Sequence, residues 1–189
     1  TATTATLTMP IIKDKQFTLT MDNYSKPTIS RCPSWLEHIT PVSTRSTPEN
    51  KTVSFTFKLK EDATSFDDTQ IVFTNATGGT SMTMNIAREF QTPTIEVVST
   101  DPSVNSYISS NKSLNLYQLK SSYYSTVTLK VYSLGGSVLQ LPGGVEADFA
   151  ESNTKEHNYV IKYKTSSLSL SDVNSGTLYV KNLSDEKKR

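Results

Sequence analysis

The sequence predicts an all-β protein built as two tandem β-sandwich domains, and three observations carry that expectation. Ser and Thr together exceed a quarter of the 189 residues, with nine Tyr and only seven Gly, a palette of strands and turns rather than helices. Short runs alternate apolar and polar residues at period two, as half-buried strands do. A strand-loop-strand segment at 53–75, VSFTFKLKEDATSFDDTQIVFTN, returns in degraded form at 159–182 as YVIKYKTSSLSLSDVNSGTLYVKN. The repeat divides the chain into residues 1–90 and 91–189. Each half has the length of an immunoglobulin-type β-sandwich, roughly 100 residues, and suffices for one modest core.

In the first half, residues 1–6 are small and polar and are expected to form a flexible leader. A strand follows at 7–12, where Pro10 confines it to a sheet edge or forces a switch between sheets. Phe17, Leu19 and Met21 alternate with Thr, the pattern of a second strand. Residues 29–39 hold the only Trp, and Pro33 breaks that run, so Trp35 and Leu36 drop into the core as a short strand or corner. Val53, Phe55, Phe57 and Leu59 form the cleanest alternation in the protein, and Phe66 anchors the loop behind them. Ile71 and Phe73 share one face of the next strand. Gly78-Gly79 then marks a hairpin into a last strand with Met82, Met84 and Ile86 on one side. The expected structural core is Trp35, Leu36, Phe55, Phe57, Ile71 and Phe73.

The second half opens with a strand at 94–99, a loop at 101–112 and a further strand around Leu114 and Leu116. Val127, Leu129 and Val131 repeat the alternation of Phe17, Leu19 and Met21, and residues 138–142 take the place of the Trp35 segment. Tyr159, Ile161 and Tyr163 match Val53, Phe55 and Phe57; Leu178, Val180 and Asn182 match Ile71, Phe73 and Asn75. After Asn75 a whole strand follows, whereas after Asn182 seven residues remain. The second domain is therefore expected to lack its last strand. That leaves the edge from Thr177 to Lys181 open to another protein chain or to a longer version of this one.

Charge excludes some partners. With a net charge of +1 and a pI near 7.7 there is no electrostatic footprint for nucleic acid or for an anionic membrane surface. No apolar run approaches the roughly 18–20 residues of a membrane span, and the first ten residues lack the basic and apolar regions of a signal peptide.

The chemistry of an active site is also missing from the pattern. The single Cys32 cannot form an internal disulfide and is expected as a small buried filler. His38 and His157 are isolated, without zinc-ligand spacing. Glu61, Asp62, Asp67 and Asp68 are either solvated turn charges or oxygen donors to a loop calcium, though they match no calcium-loop signature. No nucleophile elbow, phosphate loop or dinucleotide fingerprint occurs. The expectation is a non-enzymatic protein without metal or cofactor. The candidate ligand-binding residues are Tyr107, Tyr117, Tyr123 and Tyr124, which lie among Ser, Asn and Lys. They are either a platform for sugar rings, an apolar face beside hydrogen-bonding groups, or ordinary strand residues.

The corner Cys32-Pro33-Ser34-Trp35-Leu36, followed by VSFTF, TQIVFTN and GGTSMTMNI, resembles the BACON family over residues 7–90. These are immunoglobulin-like modules of surface and secreted proteins of Bacteroidetes and of phages that infect them. The second half resembles the family more distantly. Two features depart from its pattern: the Asn and Arg common before the penultimate strand are not evident near 61–69, and Arg88-Glu89 stands where a closing Gln is usual. The resemblance implies two immunoglobulin-like β-sandwich domains and a non-enzymatic module, extracellular or at the cell surface. Such a module serves adhesion, binds glycans or acts as a spacer. The alternative is a virion structural protein, a capsid-decorating or fibre module.

Overall fold

The structure, a computed structural model, describes residues 3–22, 26–39, 52–76, 80–101, 107–108, 114–115, 125–163 and 176–186. Among these the chain is almost entirely β, arranged in several small sheets with a single helical turn near the C-terminus. Clustering of contacts divides it into two units, Thr1–Gln91 and Thr92–Arg189.

In unit 1, one sheet runs in the order β1 (Thr3–Ile11), β7 (Ser81–Phe90), β6 (Gln70–Asn75), β3 (Pro27–Arg31). The other runs β2 (Gln16–Asp22), β5 (Thr52–Leu59), β4 (Leu36–Ile39). β1 pairs parallel with β7, Thr3 standing opposite Met82 and Ile11 opposite Phe90. The strand thus begins at Thr3, which corrects the expectation of a flexible leader through residue 6. Ala5 and Leu7 carry the alternation of Met9 and Ile11 backwards, and the Thr residues between them favour extended backbone. Pro10 sits on this edge strand, where a missing N–H is tolerated.

Period-two alternation aims Phe55, Phe57 and Leu59 of β5 and Ile71 and Phe73 of β6 into a common core, and all five are buried. The rings of Phe55 and Phe73 stand 5.1 Å apart, so side chains from the two sheets meet directly. Phe17 stacks on Phe57 at 5.2 Å. Trp35, in the turn before β4, and Leu36 are also buried. The indole Nε1 of Trp35 donates to the carbonyl oxygen of Asp68 at 2.6 Å, and its ring tilts against Phe66 at 5.4 Å. Arg31 grips both carboxylate oxygens of Asp68, and Arg88 donates to the Phe66 carbonyl. The acidic loop is thereby closed over the Trp35 corner.

In unit 2, one sheet runs β13 (Val145–Ala147), β15 (Glu156–Tyr163), β11 (Ser125–Tyr132), β8 (Thr94–Asp101). A second runs β14 (Glu151–Ser152), β12 (Ser137–Gln140), β16 (Tyr179–Asn182). A short ladder joins β9 (Tyr107–Ile108) to β10 (Leu114–Asn115), so part of the expected loop at 101–112 is paired. The core consists of Val127, Leu129, Val131, Leu139, Tyr159, Ile161 and Tyr163. A bulge in β8 sets Val97 opposite Leu129 and Ser99 opposite Thr128, leaving Val98 outside the ladder and exposed.

The pairing scheme relates the two units. β11–β15–β13 repeats β2–β5–β4, and β12–β16 repeats β3–β6. By pairing, therefore, residues 137–140 answer to Pro27–Arg31, and the place of β4 is taken by β13; this corrects the match of 138–142 to the Trp35 segment. An apolar run read along the chain does not disclose which strand it will pair with. Two differences stand out. β8 joins β11 antiparallel, whereas β1 joins β7. Among the described residues, β16 ends its sheet where β6 is followed by β7. The chain then turns into α1 (Leu183–Glu186).

Candidate functional site

Because Val127, Leu129 and Val131 of β11 point into the core, Lys130 and Tyr132 stand on the outer face of the sheet. The register brings partners to both sides of them. Lys130 lies opposite Glu96 of β8, and Tyr132 opposite Thr94 of β8 and Glu156 of β15. With Ile95 at the strand end, these residues line a shallow depression of about 420 Å³. The Lys130 ammonium lies 3.2 Å from a Glu156 carboxylate oxygen. Two carboxylates face one ammonium beside a phenol and a hydroxyl, so the depression carries a negative excess.

Of the tyrosines expected to bind ligand, Tyr107 lies in β9, paired with Asn115 of β10. Tyr117, Tyr123 and Tyr124 lie outside the described residues. Tyr132 was not among the expected site residues. The alternation through Val131 already placed it on the polar face, but its neighbours Glu96 and Glu156 come from strands whose register is a tertiary fact.

Several other titratable groups make contacts within the fold. Asp67 accepts from the Ser65 hydroxyl at 2.8 Å, and Asp68 from Arg31 and from the Gln70 backbone N–H at 3.3 Å. Among the described residues no group of three or more His, Cys, Asp or Glu is placed to hold a metal ion. His38 packs against Phe55 and Phe57 at 5.8 and 5.5 Å, and His157 against Tyr159 at 4.6 Å. In both, Nε2 is buried without a hydrogen-bond partner. Cys32 is half-buried rather than fully enclosed. Burial pushes its thiol pKa up, with Asp68 acting the same way against the opposing charge of Lys60, so the thiol is held in its unreactive protonated form.

No helix among the described residues is long and apolar enough to cross a membrane. No model of a known protein family matches the sequence, and no curated protein matches it.

Proposed function

We propose that this chain is a non-enzymatic extracellular module of a bacterial cell-surface protein, two immunoglobulin-like β-sandwich domains in tandem, that serves adhesion by binding carbohydrate on unit 2. The observation that carries the reading is the depression around Tyr132. The Tyr132 side chain, two carboxylates, an ammonium and a hydroxyl line it on three paired strands. That is the combination a sugar uses, an apolar ring face with hydroxyls needing acceptors and donors. The carboxylate excess favours neutral or amino sugars over uronic or sialic acids. Two sheets sharing a core in unit 1, through Phe55 and Phe73, support the sandwich. The resemblance of residues 7–90 to BACON modules supports the surface setting.

The test is glycan-array binding by the full chain, followed by titration of variants. Tyr132→Ala is expected to weaken binding about tenfold or more, the worth of one stacked ring with its hydroxyl contact. Paired Tyr123→Ala and Tyr124→Ala substitutions are expected to leave binding unchanged. Loss on the paired substitutions alone would move the platform to those tyrosines, and a wild-type chain that binds no glycan would remove the reading.

A second reading, a virion structural protein, is favoured by one observation: among the described residues β16 ends its sheet, and sheet edges are a common means of joining subunits. Mass spectrometry of purified phage particles tests it, since a structural protein must be present in the intact particle.

A further inference from the structure

We propose that the depression around Tyr132 selects sugars that carry a free, protonated amine, and that Glu96 is the residue that holds the ammonium. This inference rests on the carbohydrate reading of that depression and names the sugar it takes.

The two carboxylates of the depression are not equivalent. Glu156 is committed within the fold, its Oε1 lying 3.2 Å from the Lys130 ammonium. Glu96 is exposed and stands directly opposite Lys130 across the β8–β11 ladder, yet among the described residues no ion pair engages it. Lys130 is the one cation among the described residues that line the depression. It neutralises one carboxylate, so the residual negative charge rests on Glu96.

A protonated amine answers this pattern better than a hydroxyl or an acetamido group. It brings three N–H donors and a charge to the carboxylate, and charge-assisted hydrogen bonds are about twice as strong as neutral ones. Acetylation removes the charge and two of those donors. It also adds a carbonyl oxygen, whose partial negative charge a carboxylate repels.

The remaining lining residues distinguish a sugar from a bare cation. Ile95, 37% exposed, and Tyr132 give the depression apolar surface for the C–H groups of a sugar ring, and Thr94 supplies a hydroxyl for those of the ligand. A simple polyamine uses the carboxylate and leaves the rest idle.

Lys130 sets the strength of the selection. It lies on the central strand, with Glu96 on β8 to one side and Glu156 on β15 to the other. Its ammonium opposes a second one, so its removal leaves both acids uncompensated and sharpens the preference. Glu156→Gln has the opposite effect, because it releases Lys130 to turn toward Glu96. All three side chains stand on the outer face of the sheet, and exchanging them leaves the core of unit 2 untouched.

The experiment titrates the full chain calorimetrically with a short glucosamine oligosaccharide and with its fully N-acetylated counterpart, at low and at high salt. The free-amine oligomer is expected to bind about tenfold more tightly at low salt. That margin is expected to shrink at about 1 M salt, where screening is strong at an exposed site. Glu96→Gln is expected to erase the margin and Lys130→Met to widen it. Equal affinity of the two oligomers for the wild type, or a margin that survives Glu96→Gln, overturns the inference while leaving the carbohydrate reading in place. A lysine tripeptide that binds as tightly as the free-amine oligomer also overturns it, by reducing the selection to charge alone. Binding of neither oligomer overturns it as well, and the glycan array then decides the wider reading separately.

Discussion

The phenol of Tyr159 is fully buried, donates to the Ser137 carbonyl oxygen at 3.1 Å and accepts from the Ser137 hydroxyl at 2.8 Å. Burial raises its pKa above the ordinary value of 10.0; the Ser137 hydrogen bond opposes that shift, and the carboxylates of Glu151 and Asp148 add to it. The unfolded chain therefore loses this proton before the folded one does. Stability from the neutral phenol is complete below the ordinary tyrosine pKa and is lost as pH rises through the folded value. In urea unfolding, the wild type is expected to lose stability as pH rises from about 10 upward, with a steeper slope than Tyr159→Phe. At about pH 8 the variant is expected to be less stable by about 1 kcal/mol, the worth of a buried hydrogen bond. Equal slopes would show that the phenol is not held neutral by burial. Residues of this kind differ in how far they can be read in advance. Trp35 was legible as core because a lone Trp among Leu36, Ile29 and Ile39 has no other economical place. The hydrogen bond from Trp35 to Asp68 was not, since it joins positions far apart in sequence.

The turn Ser133–Ser137 shows what a pair of glycines does for two strands. Gly135 and Gly136 both take left-handed backbone, with φ of 91° and 81°. A Cβ on Gly136 would fall 2.4 Å from the Ser152 carbonyl oxygen, so the strain of the backbone and the collision act together. Gly136→Ala is expected to destabilise unit 2 by about 2 kcal/mol or more and to disturb the pairing of β12 with β14. Thermal unfolding followed by circular dichroism, together with amide exchange at Val138, measures both effects. That Gly135-Gly136 forms a turn could be read from the sequence, as could β5 and β11, whose alternation is strict. The partners of β1 and β8 could not. Both look like first strands of a repeat, yet one joins the last strand of its unit and the other joins β11, and only tertiary pairing separates those outcomes. The strand around Leu114 was expected, but its partner β9 was not, because a two-residue strand inside a Ser- and Asn-rich loop carries too little periodicity to register.

For the whole chain, the alternation and the degraded repeat foretold the all-β character. It could not foretell the depression at Tyr132, which needs three strands in register. A different property follows from the way β1 lies on β7. The two run in the same direction, so Thr3 and Phe90 stand at opposite ends of one ladder, with Ile11 beside Phe90. Tension applied through the two ends of unit 1 slides β1 along β7 and loads the ladder bonds together in shear, rather than opening them one at a time. Among the described residues of unit 2 no such ladder joins β8 to β16, which belong to different sheets. Pulling the chain in a force spectrometer is therefore expected to give one strong and one weak rupture, and removal of residues 1–6 to lower only the strong one. If both ruptures are alike, or if the truncation spares the stronger, the parallel ladder is not the clamp. Forced rupture is governed by the unfolding barrier rather than by equilibrium stability, so the first strand of this chain can set its resistance to tension while adding little to its melting temperature.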